Sequence, residues 1–196
     1  MPRKPSVLAL LALVLLAGAC ASSGSGRRTA ADLTNPFLGP ELSSWLIGPI
    51  ARLATPEEIH QFLALTDDAQ ARTFIDTFWE KRNPRPGREN RIRETFDERS
   101  TQADRLFSEA GYRGRRTDRG ALLVLYGPPA KTDFEVSPIP QGPPVEVWTY
   151  PATAPEGLNG KKPNPVYRFV KMGDLTVLYI PGQDPRLRPR TISDPL

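Results

Sequence analysis

The stretch G-R-R-T-D-R-G-A-L-L-V-L-Y-G-P-P, residues 114–129, decides how the chain divides. Upstream of it, apolar residues recur at three and four positions, the spacing that gives an α-helix one buried face. Downstream they alternate, or run in short blocks bounded by Pro and Gly, as strands do. Within it a polar loop passes into an apolar run without alternation, from Ala121 to Tyr126. That run is expected to be a strand covered on both faces, stopped at Gly127, Pro128 and Pro129. The predicted fold class is α+β, an N-terminal three-helix half packed on a mostly antiparallel sheet of four to five strands.

The helical half carries its own start signals. Thr55 can cap, Pro56 suits a first helical position, and Glu58 completes a capping box, with Ile59, Phe62 and Leu63 as the core stripe. A second start lies at Thr66, Asp67 and Asp68, and Ala71, Phe74, Ile75, Phe78 and Trp79 form one face that ends near Asn83 and Pro84. A third helix is expected over residues 88–110, with Ile92, Phe96, Ala103, Leu106 and Phe107 on one face and Gly111 as its C-cap. Strands are expected at 131–136, 145–150, 166–171 and 175–180. Met172, Gly173 and Asp174 mark a hairpin, and short connections favour antiparallel pairing. Trp148 and Tyr150 share a strand face, which reads first as packing against helices and second as an exposed platform. A sheet edge would also admit a partner strand.

The N-terminus speaks to compartment. Arg3 and Lys4 precede an apolar run at 7–17, and Gly18 and Ala19 lead to Cys20, the one cysteine. This is a charged segment, a hydrophobic segment too short for a stable membrane span, and a small-residue cleavage site. L-A-G-A-C resembles the lipobox of bacterial lipoproteins, which implies cleavage before Cys20 and lipid attachment to it. Ala21 favours outer-membrane sorting by the same resemblance, with the domain facing the periplasm. The expected divisions are a signal peptide at 1–19, a tether at 20–32, an irregular apolar arm at 33–54 whose Trp45 patch packs on the domain, an α+β domain at 55–180, and a disordered tail at 181–196.

Removing residues 1–19 takes away Arg3 and Lys4 and no acid, so the net charge falls from +4 to +2. Such a balance does not point to nucleic acid. With Cys20 lipidated no disulfide can form, so packing must hold the fold. The single histidine, His60, has no neighbouring nucleophile motif, zinc ligation fails on inventory, and no nucleotide-binding glycine pattern is present. No cofactor or metal is expected. From Lys81 to Arg119 twelve basic residues face seven acids. Either they coat a solvated helix surface, or Arg113, Arg115 and Arg116 meet an anion: a lipid phosphate, an acidic glycan or an acidic partner.

Six segments, taken in order, resemble one known family. They are F-W-E-K-R-N-P at 78–84, R-x-x-F-x-x-R at 93–99, A-D-x-x-F at 103–107, T-D-R-G at 117–120, Y-G-P-P at 126–129 and E-x-W-x-Y at 146–150. Together they resemble the GWxTD domain of bacterial exported proteins, a domain with no assigned reaction. Gly114, Thr117 and Asp118 stand in the naming motif, while Arg115 occupies the tryptophan position; an alignment through Gly111 and Tyr112 would need an insertion. Physically, Thr117, Asp118, Arg119 and Gly120 read as a turn device, with Gly120 at positive φ and Asp118 accepting from Arg93 or Arg99. Two functions follow as expectations. One is a non-catalytic module that binds or scaffolds an envelope protein; the other is a periplasmic hydrolase using Asp118 and nearby arginines.

Overall fold

The structure, a computed structural model, describes residues 29–179. The expected signal peptide, Cys20, most of the tether and the tail lie outside the described residues. Six α-helices precede a four-stranded sheet among those residues: α1 Pro40–Ser43, α2 Ile50–Leu53, α3 Pro56–Leu63, α4 Asp68–Glu80, α5 Arg91–Phe107, α6 Asp118–Tyr126, then β1 Lys131–Glu135, β2 Val145–Thr149, β3 Val166–Met172 and β4 Leu175–Tyr179. The α+β expectation holds. Every strand pairs antiparallel with the next, in the order β1-β2-β3-β4. No described helix is long and apolar enough to cross a membrane.

The helix starts follow their caps. Thr55 and Glu58 form the reciprocal capping box at α3, Asp67 Oδ1 accepts from Gln70 N at α4, and Asn90 Oδ1 accepts from Ile92 N and Arg93 N at α5. Each satisfies amide donors that a helix start leaves unpaired. α5 is shorter than expected. Its C-cap is Ser108, and the chain then turns through Ala110 and Gly111, both at positive φ.

The arm is part of the core. Trp45 lies 4.9 Å from the Phe62 ring and 5.1 Å from that of Phe78, and Leu46 and Ile50 are buried. Asn35, fully buried, donates its amide to the Phe62 and Leu65 carbonyls at 2.9 Å each, closing the last turn of α3. Arg82 donates to Glu58 at 2.6 Å and to the Leu53 carbonyl at 3.0 Å, tying α4 to both α2 and α3.

The principal correction concerns residues 121–126, which form not a strand but the body of α6. Thr117 Oγ1 accepts from Gly120 N at 3.1 Å, Asp118 sits in the positively polarised first turn, and Gly127 N closes the end on the Leu123 carbonyl at 2.8 Å with φ 78°. The run Ala121 to Leu125 lacks periodicity because it is buried on every side. A short apolar block of that kind suits a core helix as well as a core strand, and only its caps separate the two. Gly120 is correspondingly helical rather than at positive φ. Its lack of a side chain serves proximity: a Cβ there would run into the Gly114 carbonyl, and a Cβ on Gly114 would run into the carbonyl of Ala103 on α5.

The helices cover one sheet face. Trp148, Tyr150, Tyr167 and Phe169 enter the main core, with Phe107 of α5 5.5 Å from Trp148. On the other face Val145, Val147 and Val170 form a smaller cluster, flanked by Ile139.

Two consequences are measurable. Gly120→Ala should cost about 3 kcal/mol or more, because neither carbonyl of the α5–α6 junction can retreat, and should show as a lowered urea midpoint. Glu58 is pushed up by burial but more strongly held down by the Arg82 hydrogen bond, the Thr55 amide and the charges of Arg82 and Lys81, so its pKa lies below 4.5. A depressed folded pKa contributes stability above the unfolded value, and that stability is lost as pH falls through the folded value. Glu58→Gln should therefore destabilise by about 2 kcal/mol at neutral pH and flatten the loss of stability below pH ~4.5.

Candidate functional site

The polar residues of the central motif gather where α6 begins. A 3-10 turn at Gly114–Arg116 brings the chain from α5 to the Thr117 cap, and the first turn of α6 then projects Asp118 and Arg119 toward the sheet. Asp118 Oδ2 accepts from Leu178 N of β4 at 2.7 Å, and Oδ1 lies 3.6 Å from Arg52 of α2. The expected partners Arg93 and Arg99 are elsewhere. Arg93 lies 3.6 Å from Asp76, and Arg99 donates to the Val124 and Leu125 carbonyls at the end of α6. There its cation opposes the negative helix terminus, although burial lowers its pKa.

Arg119 is the hub. Its Nη1 is 2.9 Å from Glu146 on β2 and its Nη2 3.0 Å from Glu109, just beyond α5. The guanidinium also stands 5.0 Å over the Phe107 ring, and Nε is buried without a hydrogen-bond partner among the described residues. Each acid has further donors. Glu109 takes the Thr176 amide and hydroxyl at 2.9 Å, and Glu146 takes Trp148 Nε1 at 2.7 Å. The planar fork of arginine can hold two carboxylates at once, where a lysine would hold them loosely. Sequence alone does not single out Glu109 or Glu146 as partners of Arg119. The E-x-W-x-Y segment contained Glu146, but nothing in its spacing tied it to Arg119.

The three loop arginines do not act together. Arg115 donates through Nε to Asp104 at 2.9 Å while its backbone amide donates to the other carboxylate oxygen at 2.8 Å. Burial pushes Asp104 up, but these bonds hold it below its ordinary value. Arg116 donates to Ser44 Oγ at 2.7 Å and has no carboxylate in ion-pair reach among the described residues. Burial first, then the charges of Arg113 and Arg115, lower its pKa. Arg113 is exposed.

At the far end of α6, Tyr126, Gly127 and Pro128 complete the motif. Tyr150 Oη donates to the Gly127 carbonyl at 2.8 Å, and Asn159 donates to Tyr126 Oη at 3.1 Å. Burial, then neighbouring Tyr167, pushes Tyr150 up and keeps it a neutral donor. Pro128 is exposed and leads into β1. His60 is exposed on α3, away from any of these groups. A shallow cleft of about 380 Å³ between α4 and α5 is lined by Asp76, Thr77, Trp79, Glu80, Asn90 and Arg93. Asn90 is already engaged there, donating to the Trp79 carbonyl at 2.6 Å. Among the described residues no cluster of His, Cys, Asp or Glu is placed to hold a metal.

Chemically, the junction is a set of charge-assisted hydrogen bonds between α6, the α5 exit and two strands. Asp118→Ala should lower stability by about 1–2 kcal/mol by freeing the Leu178 amide. Arg119→Ala should cost about 3 kcal/mol or more, since two largely buried carboxylates lose their cation. Thermal unfolding of both variants checks the order, Arg119→Ala below Asp118→Ala below wild type.

A family model described as the GWxTD domain matches residues 33–159, more than half of the chain. The match begins at the arm, in keeping with the burial of Leu33 and Leu46 in the helical core and the packing of Trp45 against it, and takes in α1–α6, β1 and β2. The chain matches no curated protein and no solved structure. On the family match, with the motif residues seated at the α5–α6 junction, the chain belongs to the GWxTD domain family.

Proposed function

We propose that this chain is a lipid-anchored protein of the bacterial envelope whose GWxTD domain is a non-catalytic module that binds or scaffolds another envelope protein. The observation that carries this is the inward use of the motif. Thr117, Asp118, Arg119 and Arg115 all bond to groups of the chain itself, so the junction holds secondary structure together instead of presenting reactive groups to a cleft. An acid–base catalyst needs a group with room for a substrate proton beside it, and Glu109 and Glu146 each accept from several donors already. The lipobox-like L-A-G-A-C ending at Cys20 supports the anchor. On this view the lipid on Cys20 holds the domain at the periplasmic face of the outer membrane.

Arg113 and Arg116 supply the contact. One is exposed, the other has no carboxylate in ion-pair reach among the described residues, and they lie beside each other at the 3-10 turn, so an acidic segment of the partner would supply a counter-charge. A photoreactive side chain placed at Gln102, an exposed position on α5, should capture a discrete protein in intact cells. The adduct should vanish in the Arg113→Glu, Arg116→Glu chain at unchanged melting temperature. Persistence of the adduct in that variant removes the arginine contact, and capture of nothing but small molecules turns the choice to the hydrolase. Cys20→Ser should release the protein from the membrane fraction; retention there contradicts the anchor.

A further inference from the structure

The two edges of the sheet differ in how their backbone is used. Along β4 the Thr176 amide donates to Glu109 Oε1 at 2.9 Å and the Leu178 amide to Asp118 Oδ2 at 2.7 Å. These alternate amides are the ones directed away from β3, so the carboxylates close that edge against a further strand. β1 is the opposite edge, and no side chain among the described residues bonds to its main chain. It also carries exposed apolar bulk. Phe134 is 68 % exposed, and Val136, one residue past the strand, is 94 % exposed. An unpaired edge with apolar side chains is a template for another strand.

We propose that β1 is a self-association edge, at which two copies of this chain pair their β1 strands antiparallel about a two-fold axis at Asp133, merging the two sheets. The sequence K-T-D-F-E fits itself in this register. Residues at odd positions share the outer sheet face and those at even positions the helix-facing side, as the pairing with β2 requires. Lys131 then stands opposite Glu135 of the second copy on each side of the axis, and Phe134 opposite Thr132. Opposite charges facing across a strand pair are favourable, like charges are not. The one like-charge meeting, Asp133 with its own copy, is flanked in each chain by Lys131 Nζ at 2.7 Å. Glu135 is already gripped by Arg168 at 2.8 Å through both oxygens, so the outer strip carries equal numbers of cations and anions.

The ends fit as well. Pro128 and Pro138 each stand five residues from Asp133, so the two-fold axis brings them opposite each other. Neither has an amide to donate, and pairing stops at the same point on both sides. A strand of unrelated sequence would share the backbone bonds but not this symmetric placement of Lys131, Glu135 and the prolines. A second copy is the occupant that the edge describes.

Disulfide trapping of the full chain in intact cells tests this. The native chain, whose one cysteine is Cys20, sets the background. With mild oxidant the Asp133→Cys chain should give a disulfide-linked homodimer, and Glu135→Cys, whose counterpart lies across from Lys131 and not from itself, should not. Adding Phe134→Lys to the Asp133→Cys chain should abolish the dimer while leaving the melting temperature in place. Absence of the dimer in a folded Asp133→Cys chain overturns the proposal. Equal trapping at 133 and 135 overturns the register, and a mixed disulfide with a different protein assigns the edge to a foreign strand instead. None of these outcomes bears on the arginine contact at the 3-10 turn.

Discussion

Residue 120 has no room for a Cβ, because the carbonyl of Gly114 occupies that space, and Gly114 in turn rests against the Ala103 carbonyl of α5. Two backbone-to-backbone approaches within seven residues bind α5, the 3-10 turn and α6 into one stack. Packed interiors transmit such constraints without slack. The stack determines where α6 starts and how it is turned, and its first turn then aims Asp118 and Arg119 at the sheet. Were α6 rotated by one residue, Arg119 would leave the gap between Glu109 and Glu146, and the Leu178 amide would lose its acceptor.

Many of the chain's arginines are engaged internally. Arg82 holds Glu58, Arg115 holds Asp104, Arg119 holds Glu109 and Glu146, Arg168 holds Glu135, and Arg99 sits on the carbonyl end of α6. Largely buried ion pairs contribute little net stability over apolar residues of equal size, but each permits only one arrangement of the elements it joins. The motif thus acts as a positional lock. It also closes one sheet edge, since the carboxylates that orient Arg119 and α6 are the ones that occupy the amides of β4.

The start of α5 lies three residues beyond the expected one, since Asn90, its cap, follows a Pro- and Gly-broken turn. The starts of α3 and α4 were legible because caps are local: Thr55 with Glu58, and Asp67, lie within three residues of the amides they satisfy. The Gly173–Asp174 turn and the strands on either side were legible for the same reason, as was the inward face of Trp148 and Tyr150. α6 was not. Its apolar block carries no period, and the decisive signals, Thr117 before it and Gly127 after it, are shared with strand-bounding turns. Arg115 and Arg116 looked alike in sequence, yet one is neutralised by Asp104 and the other is not.

The sequence by itself determined the helix-then-strand order, the antiparallel meander, the family and the motif residues from Gly114 to Gly120, since these rest on periodicity, turns and local motifs that act over a few residues. Only the tertiary structure decided that 121–126 is a helix, that Glu109 and Glu146 are the acids Arg119 serves, and that Asp118 answers to β4 and α2. Those pairings join residues 10 to 66 positions apart. No local free energy distinguishes one such partner from another; the choice is made when the glycines at 114 and 120 let α6 settle against α5.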